Sequence, residues 1–124
     1  MKQLSLFIVA ASAFLFGSTL WFDLTARADA WEGVWAFEKE WCQYPDQIGE
    51  HDPAPIRVTR NEFVGLENWC TVTHLKALAE ETVLDLACEG EGETYSDRVY
   101  LRIEGNSLKI RRIGEEPRLY HRCE

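Results

Sequence analysis

Near the C-terminus Val99, Leu101 and Ile103 alternate with Arg98, Tyr100 and Arg102, and Leu108 and Ile110 alternate with Lys109 and Arg111. A period of two puts apolar side chains on one face of a strand and charged ones on the other. Glu104-Gly105-Asn106 between the two runs supplies the turn of a hairpin. Earlier, Trp31, Gly33, Trp35, Phe37, Lys39 and Trp41 occupy alternate positions, which predicts a strand over 31–41 with its aromatics on one face. Residues 43–55 hold Pro45, Gly49, Pro53 and Pro55 and read as a loop. Ile56 and Val58 begin a second strand, Arg60-Asn61 turns it, and Phe63-Val64 centres a third, with Gly65 marking a bulge or bend.

Residues 69–75 and 82–88 are rich in β-branched and aromatic types and predict two further strands. Between them Lys76 to Glu81 is helical by propensity, and Val72, Leu75, Ala79, Val83 and Leu86 also fit a helical stripe. Thr71, Val72 and Thr73 disfavour a helix start, so the expectation is a hairpin whose connection contains one helical turn. A helix over 72–87 is the alternative. Glu89 to Glu93 and Gly114 to Pro117 are turns, and Leu119 to Cys123 is a last short strand. The pattern as a whole predicts a mainly β domain, a small antiparallel barrel or rolled sheet of seven or eight strands.

The first residues belong to a different pattern. Met1-Lys2 is a short positive start, and Leu4 to Phe22 runs for 19 residues without a charge. Ala26-Arg27-Ala28 then has the small-x-small spacing of a cleavage site, so residues 1–28 read as a signal peptide and 29–124 as the domain. Ala28-Asp29-Ala30 is a second candidate site, and an uncleaved anchor is the competing reading, since 19 residues are just enough to span a bilayer. Either way the charge bias places the domain outside the cytoplasm, periplasmic or secreted. After cleavage no membrane partner is expected.

That compartment changes how the cysteines are read. All four, Cys42, Cys70, Cys88 and Cys123, come after the apolar segment, and an even number in a small exported chain implies two disulfides. A structural zinc is the alternative, but no C-x-x-C pair is present and 27, 17 and 34 residues separate successive cysteines, a spacing foreign to zinc ribbons. Three pairings are open. A hairpin centred near Ala79 would set Cys70 opposite Cys88 and leave Cys42 to join Cys123 across the first and last strands. The helix alternative would instead favour Cys42 with Cys70.

Residues 29–124 carry 20 acidic and 11 basic side chains, a formal charge of −9. A balance this acidic argues against nucleic acid as a partner. The excess is uneven: 29–97 has 16 acids and 4 bases, 98–124 has 4 acids and 7 bases. If the acidic part forms one face it should attract a cationic extracellular protein; the alternative is a solvated surface that keeps a small domain in solution.

Candidate chemistry is sparse. His51 lies in a Pro-flanked polar loop, His74 shares the expected strand face of Cys70 and Val72 and reads as partly buried, and His121 sits beside Cys123. Their spacings make no ligand set. Glu89, Glu91 and Glu93 alternate with glycines without the oxygen-rich loop a calcium site needs. No nucleophile elbow, metalloprotease or phosphate-loop pattern occurs, so neither an enzyme nor a metal or other cofactor is expected. Trp31, Trp35 and Trp41 have two readings, a core strand or an exposed aromatic patch of the kind that anchors interfaces.

Gly33-Val34-Trp35 resembles the G-x-W of lipocalins and other calycins, where the Trp closes one end of the barrel. That resemblance implies a small-molecule carrier and an Arg packed on the Trp, here Arg118 or Arg122. The size is similar to the periplasmic inhibitors of secreted metalloproteases, also small exported barrels with an early Trp. Trp31-x-Gly33-x-Trp35, Pro55-Ile56, Cys88-x-Gly90-Glu91-Gly92 and Arg122-Cys123 together resemble small exported bacterial β-barrel proteins without an established function. The leading expectation is a non-enzymatic exported domain that binds a macromolecule, a hydrolase it inhibits among the options. A calycin-type carrier is the alternative, and a barrel interior filled by Trp35, Phe37 and Leu101 or holding a cavity would separate them.

Overall fold

A computed structural model describes residues 30–65 and 68–124, so the signal-peptide reading of 1–28 lies outside the described residues. Eight strands form one closed antiparallel barrel: β1 (Gly33–Ala36), β2 (Ile56–Val58), β3 (Glu62–Gly65), β4 (Asn68–Ala77), β5 (Thr82–Gly90), β6 (Glu93–Glu104), β7 (Ser107–Arg112) and β8 (Arg118–Arg122). Each strand pairs with its neighbour in sequence, and β8 returns to β1 through Trp35 opposite Arg122 and Ala36 opposite His121. Closure leaves no strand edge unpaired. Among the described residues no helix is long and apolar enough to cross a membrane.

Alternation sends one set of side chains to the axis. Trp35, Val58, Phe63, Cys70, Leu84, Leu86, Cys88, Val99, Leu101 and Leu108 are buried there as one cluster, together with Trp31. Trp35 and Leu101 fill the interior as the pattern predicts, but Phe37 is 41% exposed. The reason is that the expected 31–41 strand stops at Ala36. Two short 3-10 turns come next, Lys39–Gln43 and Pro45–Gln47, the second opened by a proline at its first position. The period of two in 31–41 is therefore partly accidental: it carries Trp31 and Trp35 to the core and then lapses.

The hairpin of β4 and β5 is strand throughout, which excludes the helix over 72–87, and its connection has no helical turn. The Leu78 N–H donates to the Glu81 carbonyl at 2.8 Å and closes a tight loop over Ala79-Glu80. A loop centred there would align Cys70 with Glu89 in a regular ladder. Instead the register shifts between Val72 and His74, so that Cys70 faces Cys88, Val72 faces Leu86, His74 faces Asp85 and Leu75 faces Leu84. Thr73 is the extra residue of this β-bulge. It flips the parity of the rest of β4: Leu75 packs on the core, and His74 is exposed rather than partly buried as its spacing suggests. Burying the leucine and solvating the imidazole is the cheaper arrangement.

Deleting Thr73 should therefore leave Leu75 inward and the cysteines aligned. Deleting Lys76 can keep the cysteines aligned only by turning His74 in and Leu75 out, at about 2 kcal/mol more. Urea denaturation of the two oxidised variants checks this; equal losses would refute the role given to the bulge.

Both disulfides form, Cys70–Cys88 across β4 and β5 with Cα atoms 4.0 Å apart, and Cys42–Cys123 with Cα atoms 5.3 Å apart. The second does not join two strands. Cys42 lies in the first 3-10 turn and Cys123 just past β8, so the bond pins the 37–55 connection to the end of the barrel wall.

The outer faces of β5, β6 and β7 interleave the two charge populations. Arg98 Nε lies 2.6 Å from Asp85 Oδ1, Arg102 Nη2 3.3 Å from Glu80 Oε2 and Arg111 Nη2 3.6 Å from Glu81 Oε2. The hydrogen bond from Arg98 holds the Asp85 carboxyl below its ordinary range. These pairs are solvent-exposed and each contributes little, but they neutralise Glu80, Glu81 and Asp85.

Candidate functional site

The up-and-down topology sorts the connections into two ends. One end gathers residues 30–32, the 59–61 and 78–81 loops, the Gly105-Asn106 turn and residues 123–124. It is closed by Trp31 and Trp35. The Trp35 indole N–H donates to the Trp31 carbonyl at 2.9 Å, and the Arg122 guanidinium lies 4.1 Å above the Trp35 ring while donating to the carbonyls of Ala30 and Glu32. Gly33 makes room for it, with φ +144° and a Cβ position that would lie only 3.3 Å from Arg122 Nη1. Of the two arginines considered for a place on Trp35, Arg122 occupies it; Arg118 lies 5.7 Å from the Phe37 ring at the far end.

That far end is the mouth, bounded by the 37–55 connection, the Glu91-Gly92 turn and the 113–117 turn. Strand parity turns polar groups inward here. Ile110 pairs with Arg118, Val99 pairs with Arg112, and Leu86 pairs with Asp97, so all three polar partners share the face of core residues. Arg112 Nε lies 3.2 Å from Asp97 Oδ2, and its guanidinium is 5.7 Å from the Phe63 ring at the top of the apolar layer. Arg118 has no carboxylate partner among the described residues; Phe37 is its aromatic neighbour.

Phe37 packs against Trp41 at 6.3 Å and edge-on to Tyr120 at 5.9 Å between ring centroids. Together with Asp52, Ile56 and Arg118 these rings line a concavity of about 260 Å³. It opens outward, above an axis occupied by Trp35, Phe63, Leu84, Leu101 and Leu108, all fully buried.

The three tryptophans marked in the sequence thus separate. Trp31 is 4% and Trp35 0% exposed, so both belong to the closed end and present no contact surface. Trp41 stands partly exposed on the mouth. In the connection that carries it Glu38, Glu40, Asp46, Glu50 and Asp52 are exposed, opposed in the same segment by Lys39 alone among lysines and arginines, and Asp52 lines the mouth with Trp41. The cysteines marked with them are all disulfide-bonded and do not titrate. His51, His74 and His121 are exposed on the connection, β4 and β8, and do not come together.

Arg112, Asp97 and Tyr120 are mouth residues that the sequence motifs do not single out, and Arg118, considered for the place on Trp35, joins them there. A signal is present all the same: continuing the parity of Leu108 and Ile110 reaches Arg112, and running Val99 backwards reaches Asp97, which places opposite charges at core positions of adjacent strands. Chemically the mouth offers ring faces, one guanidinium without a carboxylate partner, and the exposed carboxylate of Asp52. No protein-family model, curated protein or solved structure matches the chain. Any functional reading therefore stands on this geometry and on the chemistry of the chain.

Proposed function

We propose that the chain is an exported, non-enzymatic domain that binds a partner protein through the mouth of its barrel, with Trp41 as the anchor. The observation that carries the reading is the division of the aromatics: those on the axis are sealed in the core, whereas Phe37, Trp41 and Tyr120 pack on one another at an opening, in a segment that the Cys42–Cys123 bond ties back to the closed end. Aromatics fixed in this way lose little freedom on binding. Two disulfides suit an oxidising compartment, as does the signal-like N-terminal pattern. The partner class is a cationic extracellular protein, secreted hydrolases included, because the exposed acids of the 37–55 connection that carries Trp41 stand outside the ion pairs of β5 to β7.

Titration of the domain against cationic and neutral secreted hydrolases should show binding to cationic members that weakens from low to physiological salt, where the Debye length is about 8 Å. Trp41→Ala should weaken it about 30-fold, the scale of an interface hot spot. Binding indifferent to salt, or none at either salt, removes the proposal. A second reading, a carrier of small acidic molecules, is favoured by Arg118, whose guanidinium faces the mouth without a carboxylate. Such a ligand would sit above the packed axis rather than within it.

A further inference from the structure

A second concavity, about 470 Å³, lies on the outer wall of β4, β5 and β6, away from the mouth site. Strand register lays its floor out as two rows. Trp69, Glu89 and Thr94 face one another across the three strands, and Thr71, Ala87 and Ser96 form the next row. Directly opposed residues in such rows stand about 5 Å apart. The small side chain of Ala87 at the centre, between two hydroxyls, makes the hollow. Trp69 at the corner is its wall, and it is 49% exposed.

An exposed tryptophan is ordinarily mobile, but this one is held. Its indole N–H donates to Glu62 Oε2 at 3.2 Å, and the other oxygen of Glu62 lies 3.2 Å from Arg57 Nε. Gly49 of the 37–55 connection, at φ +81°, lies against its ring, where a Cβ would come within 3.4 Å. With its one polar atom occupied, Trp69 has only ring faces to offer a ligand.

The remaining groups define what would fit. Thr71, Thr94 and Ser96 hydroxyls each donate and accept, and Glu89 accepts without an ion-pair partner among the described residues. No lysine or arginine lines the hollow, so an anionic ligand would meet Glu89 uncompensated. A purely apolar ligand would strip water from Glu89 and three hydroxyls and return nothing. A lone cationic side chain would use Trp69 and Glu89 but leave the hydroxyls idle. A pyranose ring satisfies all of them, with an apolar C–H face for the indole and a rim of hydroxyls that donate to a carboxylate and exchange hydrogen bonds with threonine and serine.

We infer that the outer wall of β4, β5 and β6 is a binding site for an uncharged glycan chain, with Trp69 as the stacking platform and Glu89, Thr71, Thr94 and Ser96 as its polar contacts. This goes beyond the mouth reading and does not depend on it.

The test is amide NMR of the isotopically labelled domain titrated separately with a neutral β-linked glucose tetrasaccharide, an N-acetylglucosamine tetrasaccharide, a galacturonate tetrasaccharide and tetralysine. At least one neutral sugar should shift the amides of Thr71, Ala87 and Ser96 saturably and with little dependence on salt, and the acidic sugar should not. Trp69→Ala should weaken that binding about 30-fold, the scale expected for an anchoring aromatic. Ala87→Arg, which fills the exposed hollow and leaves Trp69 and its hydrogen bond in place, should abolish it while the remaining amides keep their positions. Absence of shifts with both neutral sugars, shifts that survive Ala87→Arg, or shifts with tetralysine alone would overturn the assignment. None of these outcomes bears on Trp41, so the two proposals fail separately.

Discussion

Trp35→Ala should cost the barrel about 3–5 kcal/mol, the range for emptying a buried aromatic site. A small domain has about 5–15 kcal/mol in total, so the variant should sit at or near the edge of folding. The size reflects the contacts that converge on the ring. Its side chain is fully buried on the axis, its N–H satisfies the Trp31 carbonyl, and Arg122 stacks on its face while tying the carbonyls of Ala30 and Glu32. Trp35→Phe separates these contributions. It retains most of the volume and a face for Arg122 but removes the buried hydrogen bond from the indole to the Trp31 carbonyl, which should cost about 1–3 kcal/mol. Urea denaturation with both disulfides intact measures each loss. A midpoint for Trp35→Ala within error of the parent would show that the closed end does not organise the core.

Replacing Cys42 and Cys123 together by Ala should cost about 4 kcal/mol, since the bond closes a loop with a sequence separation of 81 and the entropy it removes from the unfolded chain grows with loop length. Neither cysteine belongs to the buried core, so little packing is lost and the barrel should remain recognisable by its amide spectrum. What should change locally is the 37–55 connection. Without its tether it has two 3-10 turns and few backbone hydrogen bonds to keep it in place, so limited proteolysis should cut there first. Binding at the mouth should weaken in step, because Trp41 lies one residue from the tether. Retention of the parent's midpoint and cleavage pattern would contradict this account.

The barrel is legible in the sequence because its longer strands are half-buried and antiparallel, where the hydrophobic period is read directly. β6 and β7 announce themselves through Val99, Leu101, Ile103, Leu108 and Ile110, and the near-symmetric placement of Cys70 and Cys88 about the loop points to their pairing, although it is the bulge at Thr73 that brings them into register. Two features are hidden for physical reasons. A bulge adds a residue without changing composition, so the inversion of His74 and Leu75 leaves no trace in a period-of-two reading. The end of β1 is also silent, because Phe37 and Trp41 continue the alternation by type while the backbone has already turned into 3-10 geometry. The mouth is only partly legible. Its aromatics stand out, but Arg112 and Asp97 read as ordinary surface charges, since at the rim of a barrel the inward face is no longer dry, and Arg118 stands out only for a place on Trp35 that Arg122 takes. Trp69 reads as strand propensity; that its indole is pinned by Glu62 on the adjacent strand and by Gly49 of the 37–55 connection emerges only in three dimensions.

The Cys42–Cys123 bond also determines how the molecule would bear tension. Antiparallel closure brings residues 30 and 124 to the same end, so pulling them apart would unzip β1 from β8 one hydrogen bond at a time, a mechanically weak arrangement. The disulfide truncates that path: force entering at residue 30 runs through residues 30–42, crosses the two sulfur atoms to Cys123 and leaves. Residues 43–122, with seven of the eight strands, stay outside the line of pull. A stretched molecule could lengthen by no more than the contour of about thirteen residues, some 45 Å at most, before the pull met a covalent stop. The outer wall carrying Trp69 would keep its shape while β1 gave way.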